Sequence, residues 1–246
     1  KRQALAVQRR IFEGANTDVA GTLNNLAGMA VEQRDFSRAR RISEEALAMY
    51  RELYEGDHPA LARALQAVAR CALQQGETEL ASAHLDEAYR MNASLLGESH
   101  RNTTRTLTVI ARLQLARGEG DLALTTLDSV LARRGRVLGE DHPDTEETRR
   151  LQGDFLVDLG RYEEALPVLQ RATRETIARL GDEHYISAQT LLARARALLG
   201  LDRVEEARAD LSRAEPVLEE TFGDSDERVL RARELLAKTA TASSPR

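Results

Sequence analysis

Residues 137–166 read VLGEDHPDTEETRRLQGDFLVDLGRYEEAL, and the same pattern returns on both sides of this stretch. Its histidine belongs to a series spaced by 42 residues, which consists of His58, His100, His142 and His184, with Asn16 and Asp226 one step outside. Alanines keep the same spacing at Ala39, Ala81, Ala123, Ala165 and Ala207. No residue is inserted or lost over five periods. A fixed period of this length indicates an array of repeated structural units.

The composition indicates a helical protein and argues against general binding to nucleic acid or to a membrane. Charged residues make up 30% of the chain and aromatic residues only 4%, as in long helical proteins. The net charge of −5 argues against general binding to nucleic acid or to a membrane surface. No apolar run approaches the roughly 18 residues that span a bilayer, and no signal peptide is visible. We therefore expect a cytoplasmic protein, and the strong bias toward Arg over Lys suggests a bacterial source. The single cysteine, Cys71, excludes an internal disulfide, which fits a reducing compartment or is uninformative.

Each period predicts two helices. The first helices are expected at about 18–33, 60–75, 102–117, 144–159 and 186–200, and the second at about 36–54, 78–95, 120–137, 162–179 and 204–221. Gly76, Gly118 and Gly160 stand between them, where a helix end favours the left-handed conformation. Arg34 and Asp202 occupy the corresponding places of the first and last periods, so those two turns should be less ideal.

The two ends of the chain are expected to differ from the middle. Residues 1–14 match 44–56 and therefore predict the second helix of a truncated repeat, whose bare apolar face could support self-association. Residues 227–238 repeat the register of a first helix and should cap the array. Residues 239–246, TATASSPR, offer little to bury and should form a disordered tail.

The stretch TLNNLAGMAVEQRDFSRARRISEEALAMYRELYEGDHPALA at 22–62 resembles a tetratricopeptide repeat of the 42-residue, kinesin-light-chain type. The resemblance covers residues 1–238 and implies an all-α tetratricopeptide α-solenoid. Such a fold is a right-handed superhelix of stacked antiparallel helix pairs, here about five full repeats plus a flanking helix at each end. Bacterial proteins carry this type beside Ser/Thr kinase, NTPase or protease domains, so we expect a fragment of a larger bacterial protein. Departures from the pattern occur at Arg34, Ser43, Gln152 and Arg194.

No residue pattern points to catalysis. The histidine series precedes helix starts, and its outer members Asn16 and Asp226 are strong N-caps. Helix capping therefore explains all six positions of the series, whereas a metal site would explain only the four histidines at best. Equivalent side chains in stacked repeats also lie on the order of 10 Å apart, too far to share a zinc ion. Cys71 falls within a helix among apolar neighbours, where a thiol is inert. We predict no enzyme, no cofactor and no metal.

The candidate site is instead a protein-binding surface. In the resembling family the first helices line the concave groove, and three columns of residues at steps of 42 are predicted to face it. Arginines dominate the middle of these columns, and an acidic or phosphorylated partner is expected because Arg binds carboxylate and phosphate groups in bidentate geometry. The predicted partner-binding residues are Asn24, Arg63, Gln66, Arg70, Arg105, Thr108, Arg112 and Arg150. Of these, Asn24 is assigned through the resemblance, because the paired asparagines of kinesin-light-chain repeats bind extended peptides.

Three functional hypotheses follow from these patterns. The first is a scaffold that binds an acidic peptide or protein segment in the groove. The second is an assembly or regulatory arm of a larger signalling protein, acting by intrachain contact or by self-association through the N-terminal helix. The third is an enzyme, which the absence of a catalytic residue pattern disfavours. The arginine columns could also be a solvated charged face without a partner, since arginine is abundant throughout the chain.

Overall fold

The computed structural model describes residues 14–33 and 35–242, and this part of the chain contains eleven α-helices and no strand. The first helices of the repeats are α1 (Thr17–Glu32), α3 (Pro59–Gln74), α5 (Arg101–Ala116), α7 (Pro143–Asp158) and α9 (Tyr185–Gly200). The second helices are α2 (Phe36–Leu53), α4 (Thr78–Leu96), α6 (Gly120–Leu138), α8 (Tyr162–Leu180) and α10 (Val204–Phe222), and α11 (Glu227–Ala242) follows them. The predicted all-α repeat architecture is confirmed. From α1 to α10 the helix ends deviate from the predicted ones by one residue at most.

The chain divides into two compact units, residues 1–133 and 134–246. In the first unit the helices α1 to α5 pack in chain order, and the first helices also contact one another, α1 with α3 and α3 with α5. In the second unit α7 to α11 pack in the same consecutive way, and α7 contacts α9. Each unit therefore places the first helices of successive repeats side by side.

Two columns of small residues mark the crossings between helices. The alanine series at steps of 42 and the parallel series seven residues later are fully buried: Ala39, Ala81, Ala123, Ala165, Ala207, and Ala46, Ala88, Val130, Ala172, Ala214. Side chains of this size let two helix axes approach closely. Leucines that are also completely buried, including Leu65, Leu85, Leu169 and Leu211, fill the space between these crossings.

The histidine series caps helices, as predicted. Nδ1 of each histidine accepts a hydrogen bond from the backbone N–H two residues ahead, at 3.1 Å for His58, His100 and His142 and 3.2 Å for His184. The outer members Asn16 and Asp226 accept equivalent bonds of 2.8 and 2.9 Å. A capping acceptor satisfies one of the free N–H groups in a first turn, so all six positions stabilise a first-helix start.

The turns within repeats use the left-handed conformation. Gly76, Gly118 and Gly160 have φ of 76°, 80° and 73°. Asp202 takes the same conformation with φ of 56°, although it carries a side chain, which confirms a less favourable turn in the last repeat. Arg34 lies outside the described residues.

The C-terminal helix is longer than predicted. The expected disordered tail began at residue 239, but α11 continues to Ala242. Thr239 is buried, and Arg208 donates to its hydroxyl at 3.3 Å and also to its carbonyl oxygen. The prediction for 239–242 was wrong because it counted only apolar residues and overlooked both this anchor and the helix-forming alanines. Residues 1–13 and 243–246, including the predicted N-terminal helix, lie outside the described residues.

Candidate functional site: the first-helix face and a buried charged layer

Four of the predicted arginines share one exposed face of the first unit. Arg63 and Arg70 lie two turns apart on α3, and Arg105 and Arg112 occupy the equivalent positions on α5. All four side chains are exposed, and α3 contacts α5. Residues seven apart lie on the same side of a helix. The arginine prediction therefore corresponds to an exposed surface with two parallel rows of cations, which we call the arginine face.

Two of these arginines have no partner within the part of the chain that the structure describes. Neither Arg63 nor Arg105 makes a hydrogen bond or ion pair with any residue of 14–33 or 35–242. Arg70 and Arg112, in contrast, each have an interaction within the protein. Many other arginines of this chain are paired, for example Arg51 with Glu87 at 3.2 Å. The donors at positions 63 and 105 are thus available to a ligand.

The middle column of the predicted groove is not exposed. Gln66 is buried and donates to the hydroxyl of Thr106, which also accepts from Asn92 at 3.2 Å. Thr108 is half-buried and donates to the carbonyl of Thr104 at 2.9 Å. Gln66 thus faces the neighbouring first helix, because this column lies where α3 and α5 pack together. For Gln66 the prediction of an open groove position was wrong.

Asn24, on α1, is the counterpart of Gln66 in the first repeat. Its Oδ1 and Nδ2 atoms are shielded from solvent and have no hydrogen-bond partner among residues 14–33 and 35–242. A buried amide without partners costs free energy, so Asn24 is an unsatisfied polar group in the described part of the chain. Arg150 lies in the second unit, on α7, and donates to Asp154 at 2.7 Å. Its charge is already balanced within its own helix.

A cluster of charged residues at core positions of the fourth repeat was not predicted from the sequence. In the other repeats the position of Glu146 holds Ala20, Ala62, Thr104 and Ala188, and that of Arg149 holds Leu23, Leu65, Leu107 and Leu191. Glu175 replaces Met49, Met91, Arg133 and Val217. Glu146 and Arg149 are buried and Glu175 is half-buried. We call these three residues the charged layer. Tracking each position in steps of 42 would have revealed it.

Ion pairs connect the charged layer to the loop before α7. Arg149 donates to Glu146, to Glu140 at 2.8 Å and to Glu175 at 3.4 Å. Arg171 donates to Glu175 at 2.7 Å. Burial, reinforced by the neighbouring carboxyl group of Glu175, raises the pKa of Glu146 to about 7. Burial also acts to raise the pKa of Glu175, but hydrogen bonds from Glu146 and Arg171 outweigh it and lower that pKa.

A family model describes the repeats themselves. The tetratricopeptide repeat model matches residues 18–94, 102–174 and 150–220, which together make up most of the chain. The chain belongs to the tetratricopeptide repeat family. Tetratricopeptide repeats generally mediate protein–protein interactions and are typically not catalytic. No curated protein sequence matches this chain.

Solved structures with a similar arrangement of tetratricopeptide repeats have low sequence identity and therefore support the fold alone. TPR-like repeats of a Podosopora anserina protein described as a kinesin light chain align over 81% of this chain and 95% of theirs, with 20% identity and a TM-score of 0.62. A Rap protein complexed with Competence and Sporulation Factor aligns over 89% of this chain and 64% of its own, with 15% identity and a TM-score of 0.70. A signal transduction ATPase of the STAND class from Pyrococcus horikoshii, which has a tetratricopeptide repeat sensor, aligns over 93% of this chain and 33% of its own, with 14% identity and a TM-score of 0.69.

None of the helices in the described part of this tetratricopeptide repeat protein combines the length and the apolar character required to cross a membrane.

Proposed function

We propose that this chain is a non-catalytic interaction module that binds an acidic or phosphorylated segment of a partner protein on the arginine face. The observation that carries the proposal is the exposure of Arg63 and Arg105 without an ion pair among the described residues. A guanidinium group offers donors in a planar fork that fits a carboxylate or a phosphate. The whole chain has a net charge of −5, whereas the arginine face is locally positive. This local positive charge favours an acidic partner.

Asn24 extends the proposed surface to the first repeat. A rotation of the Asn24 side chain would expose its unsatisfied amide, which would then gain a donor and an acceptor from the main chain of an extended peptide. The Rap protein complexed with Competence and Sporulation Factor is a precedent, within the same fold, for a bound factor. In this proposal the arginines select for acidic groups and Asn24 orients the peptide backbone. Gln66 connects α3 to α5 through Thr106, whereas Thr108 bonds within α5 and Arg150 within α7.

Charge reversal on the arginine face tests this proposal. We expect Arg63→Glu combined with Arg105→Glu to weaken binding of fluorescent acidic peptides and phosphopeptides by about 10-fold or more, measured by anisotropy. The matched control is Arg41→Glu with Arg90→Glu, because both residues are exposed on second helices of the same unit and have no partner within the described ranges. Far-UV circular dichroism checks that all variants remain helical.

The outcomes separate the proposal from nonspecific attraction. Binding should weaken in the arginine-face variant only. Binding by the parent chain should also weaken as the salt concentration rises, since exposed ion pairs are screened. Equal losses in both variants, or equal binding of acidic and neutral peptides, would show that the arginine face has no special role.

A second candidate function is an assembly or regulatory arm within a larger signalling protein. The observation in its favour is the similarity to a STAND ATPase that has a tetratricopeptide repeat sensor, of whose chain the alignment covers 33%. This function predicts dimers or higher assemblies of residues 1–246 in solution. Substitution of Leu5, Ile11 or Phe12 by Ser should then return the chain to a monomer in light scattering. A monomeric parent chain would argue against self-association.

A further inference from the structure

Two carboxyl groups meet in the charged layer. The carboxyl group of Glu146, on α7, is hydrogen-bonded to that of Glu175, on α8. The side chain of Glu146 is 4% exposed and that of Glu175 is 23% exposed, so little water separates their charges. Two ionised carboxylates offer only acceptors and cannot bond to each other, whereas a protonated carboxyl group has an O–H to donate. The contact therefore requires a proton on one of the two residues.

The other hydrogen bonds indicate that Glu146 carries this proton. Oε1 of Glu146 accepts from Arg149, but Oε2 accepts no hydrogen bond within residues 14–33 and 35–242. Glu175 accepts from Arg171 at 2.7 Å and from Arg149 at 3.4 Å, and these cations favour its ionised form. A proton on Oε2 of Glu146 would give that oxygen the partner it lacks, because the ionised carboxylate of Glu175 is the acceptor.

The remaining charged groups lie around the edge of the pair. Besides the two arginines, the neighbouring elements contribute Arg134 on α6, Glu140 and Asp141 in the loop before α7, and the capping residue His142. Glu140 and Asp141 are 63% and 90% exposed, so water screens their charges. Arg134 donates to the hydroxyl of Thr148 at 2.7 Å. The helix α9 also contacts α7, but its residues 185–193 include no charged side chain.

We propose that Glu146 and Glu175 form a pH-sensitive contact, which holds α7 against α8 by sharing one proton. In the protonated state Glu146 donates to Glu175, and Arg149 and Arg171 bind the carboxylate that remains. Release of the proton to water leaves two carboxylates in contact where water is scarce, so they repel each other and weaken the packing of α7 on α8. Both residues belong to the second unit, whereas the arginine face belongs to the first.

The pH range of this contact follows from the pKa of Glu146. Burial and the hydrogen bond to Glu175 outweigh the effect of Arg149 and raise this pKa from its ordinary value of 4.5 to about 7. Above pH 4.5 the folded chain therefore keeps a proton that the unfolded chain releases. The stabilisation is complete below that pH, decreases as the pH rises and is lost above about pH 8. The lowered pKa of Glu175 has the opposite effect on stability, but only below its ordinary value of 4.5.

A titration of the full chain tests the proposal directly. Carboxyl carbon resonances of glutamate are followed by NMR, and the signal of Glu146 is identified by its loss in Glu146→Gln. We expect a midpoint within about one unit of pH 7. Glu175→Gln should lower this midpoint by at least about half a unit, because the new amide can donate to an ionised Glu146. A midpoint below about pH 5.5 in the parent chain, or one that stays unchanged in Glu175→Gln, would overturn the proposal.

Thermal melts measure the consequence for stability. Between about pH 5 and pH 8 the melting temperature Tm of the parent should fall by at least about 3 °C more than that of Glu146→Gln, whose amide keeps a donor without a titrating proton. The comparison cancels groups that both chains share, such as His142. If Glu146→Gln does not fold, the reference for both measurements is the combined replacement Glu146→Ala, Arg149→Leu and Glu175→Met, which installs residues that other repeats carry at these positions. Parallel Tm curves for the parent and the reference would contradict the proposal.

Discussion

Gly153 lies at a close contact between α7 and α8, and Gly153→Ala should destabilise the second unit. An ideal Cβ at this position would lie 2.5 Å from Cδ2 and Cγ of Leu169. Leu169 is 0% exposed, so it cannot move out into solvent without crossing the packed core. The other repeats carry alanine here, at Ala27, Ala69, Ala111 and Ala195, so the fourth repeat has packed its helices more closely around a missing methyl group.

The expected magnitude combines two opposing terms. Ordinary carbon–carbon contacts lie near 3.5–4.0 Å, so Leu169 must leave its rotamer or the helices must separate by about 1 Å. Overpacking of this kind costs about 1–3 kcal/mol. Alanine gains about 1 kcal/mol over glycine in helix propensity. We therefore expect a net destabilisation of about 1 kcal/mol and a decrease in Tm of about 2–4 °C.

Thermal melts and urea unfolding, both followed by far-UV circular dichroism, measure this effect. The matched control is Gly28→Ala on α1, where a Cβ would have no atom within 4 Å. That variant should be more stable than the parent by about 0.5–1 kcal/mol, because only the propensity term remains. A Gly153→Ala protein that melts at or above the parent temperature would refute the reasoning about the α7–α8 contact.

Three other predictions concern caps, a buried ion pair and the single thiol. His142→Ala should cost about 1 kcal/mol in unfolding free energy, whereas His142→Asn should keep the cap and the parent stability in urea titrations. Arg194→Leu leaves the buried Asp210 without its bidentate partner and should lower stability by about 3 kcal/mol, while the double variant with Asp210→Val should recover most of that loss. Burial raises the pKa of the Cys71 thiol, so iodoacetamide should label it slowly at neutral pH in the native chain and rapidly in urea. Fast labelling of the native protein would contradict the buried placement.

The 42-residue period is sufficient to predict most of the fold. Helix positions, capping residues and turn glycines recur in one register, so each repeat supports the assignment of the others. The burial of Gln66 was not predictable in this way, because a period defines a face of a helix but not which part of that face the next repeat covers. That coverage depends on the angle at which α3 and α5 pack.

The charged layer was overlooked for a related reason. Glu146 and Arg149 look like surface residues when the helix is read alone, since polar residues normally face water. Only a comparison with the small and apolar residues in the same columns shows that they occupy core positions. Their partner Glu175 lies on the following helix, and no spacing rule within one helix indicates that the three meet. The arginine face, in contrast, was predictable, because it needed only the position of each residue on its own helix.

The uniform spacing of caps and turns makes the repeats interchangeable building blocks. Every first helix from α3 to α9 starts behind a capping histidine, and consecutive histidines stand one whole repeat apart. Removal of residues 143–184 would join His142 directly to Tyr185, which is the residue that a capping histidine already precedes in the intact chain. The shortened chain would keep an uninterrupted register but would lose the whole charged layer. Shuffling, duplication or loss of whole repeats can therefore change what this chain binds without redesigning how it folds.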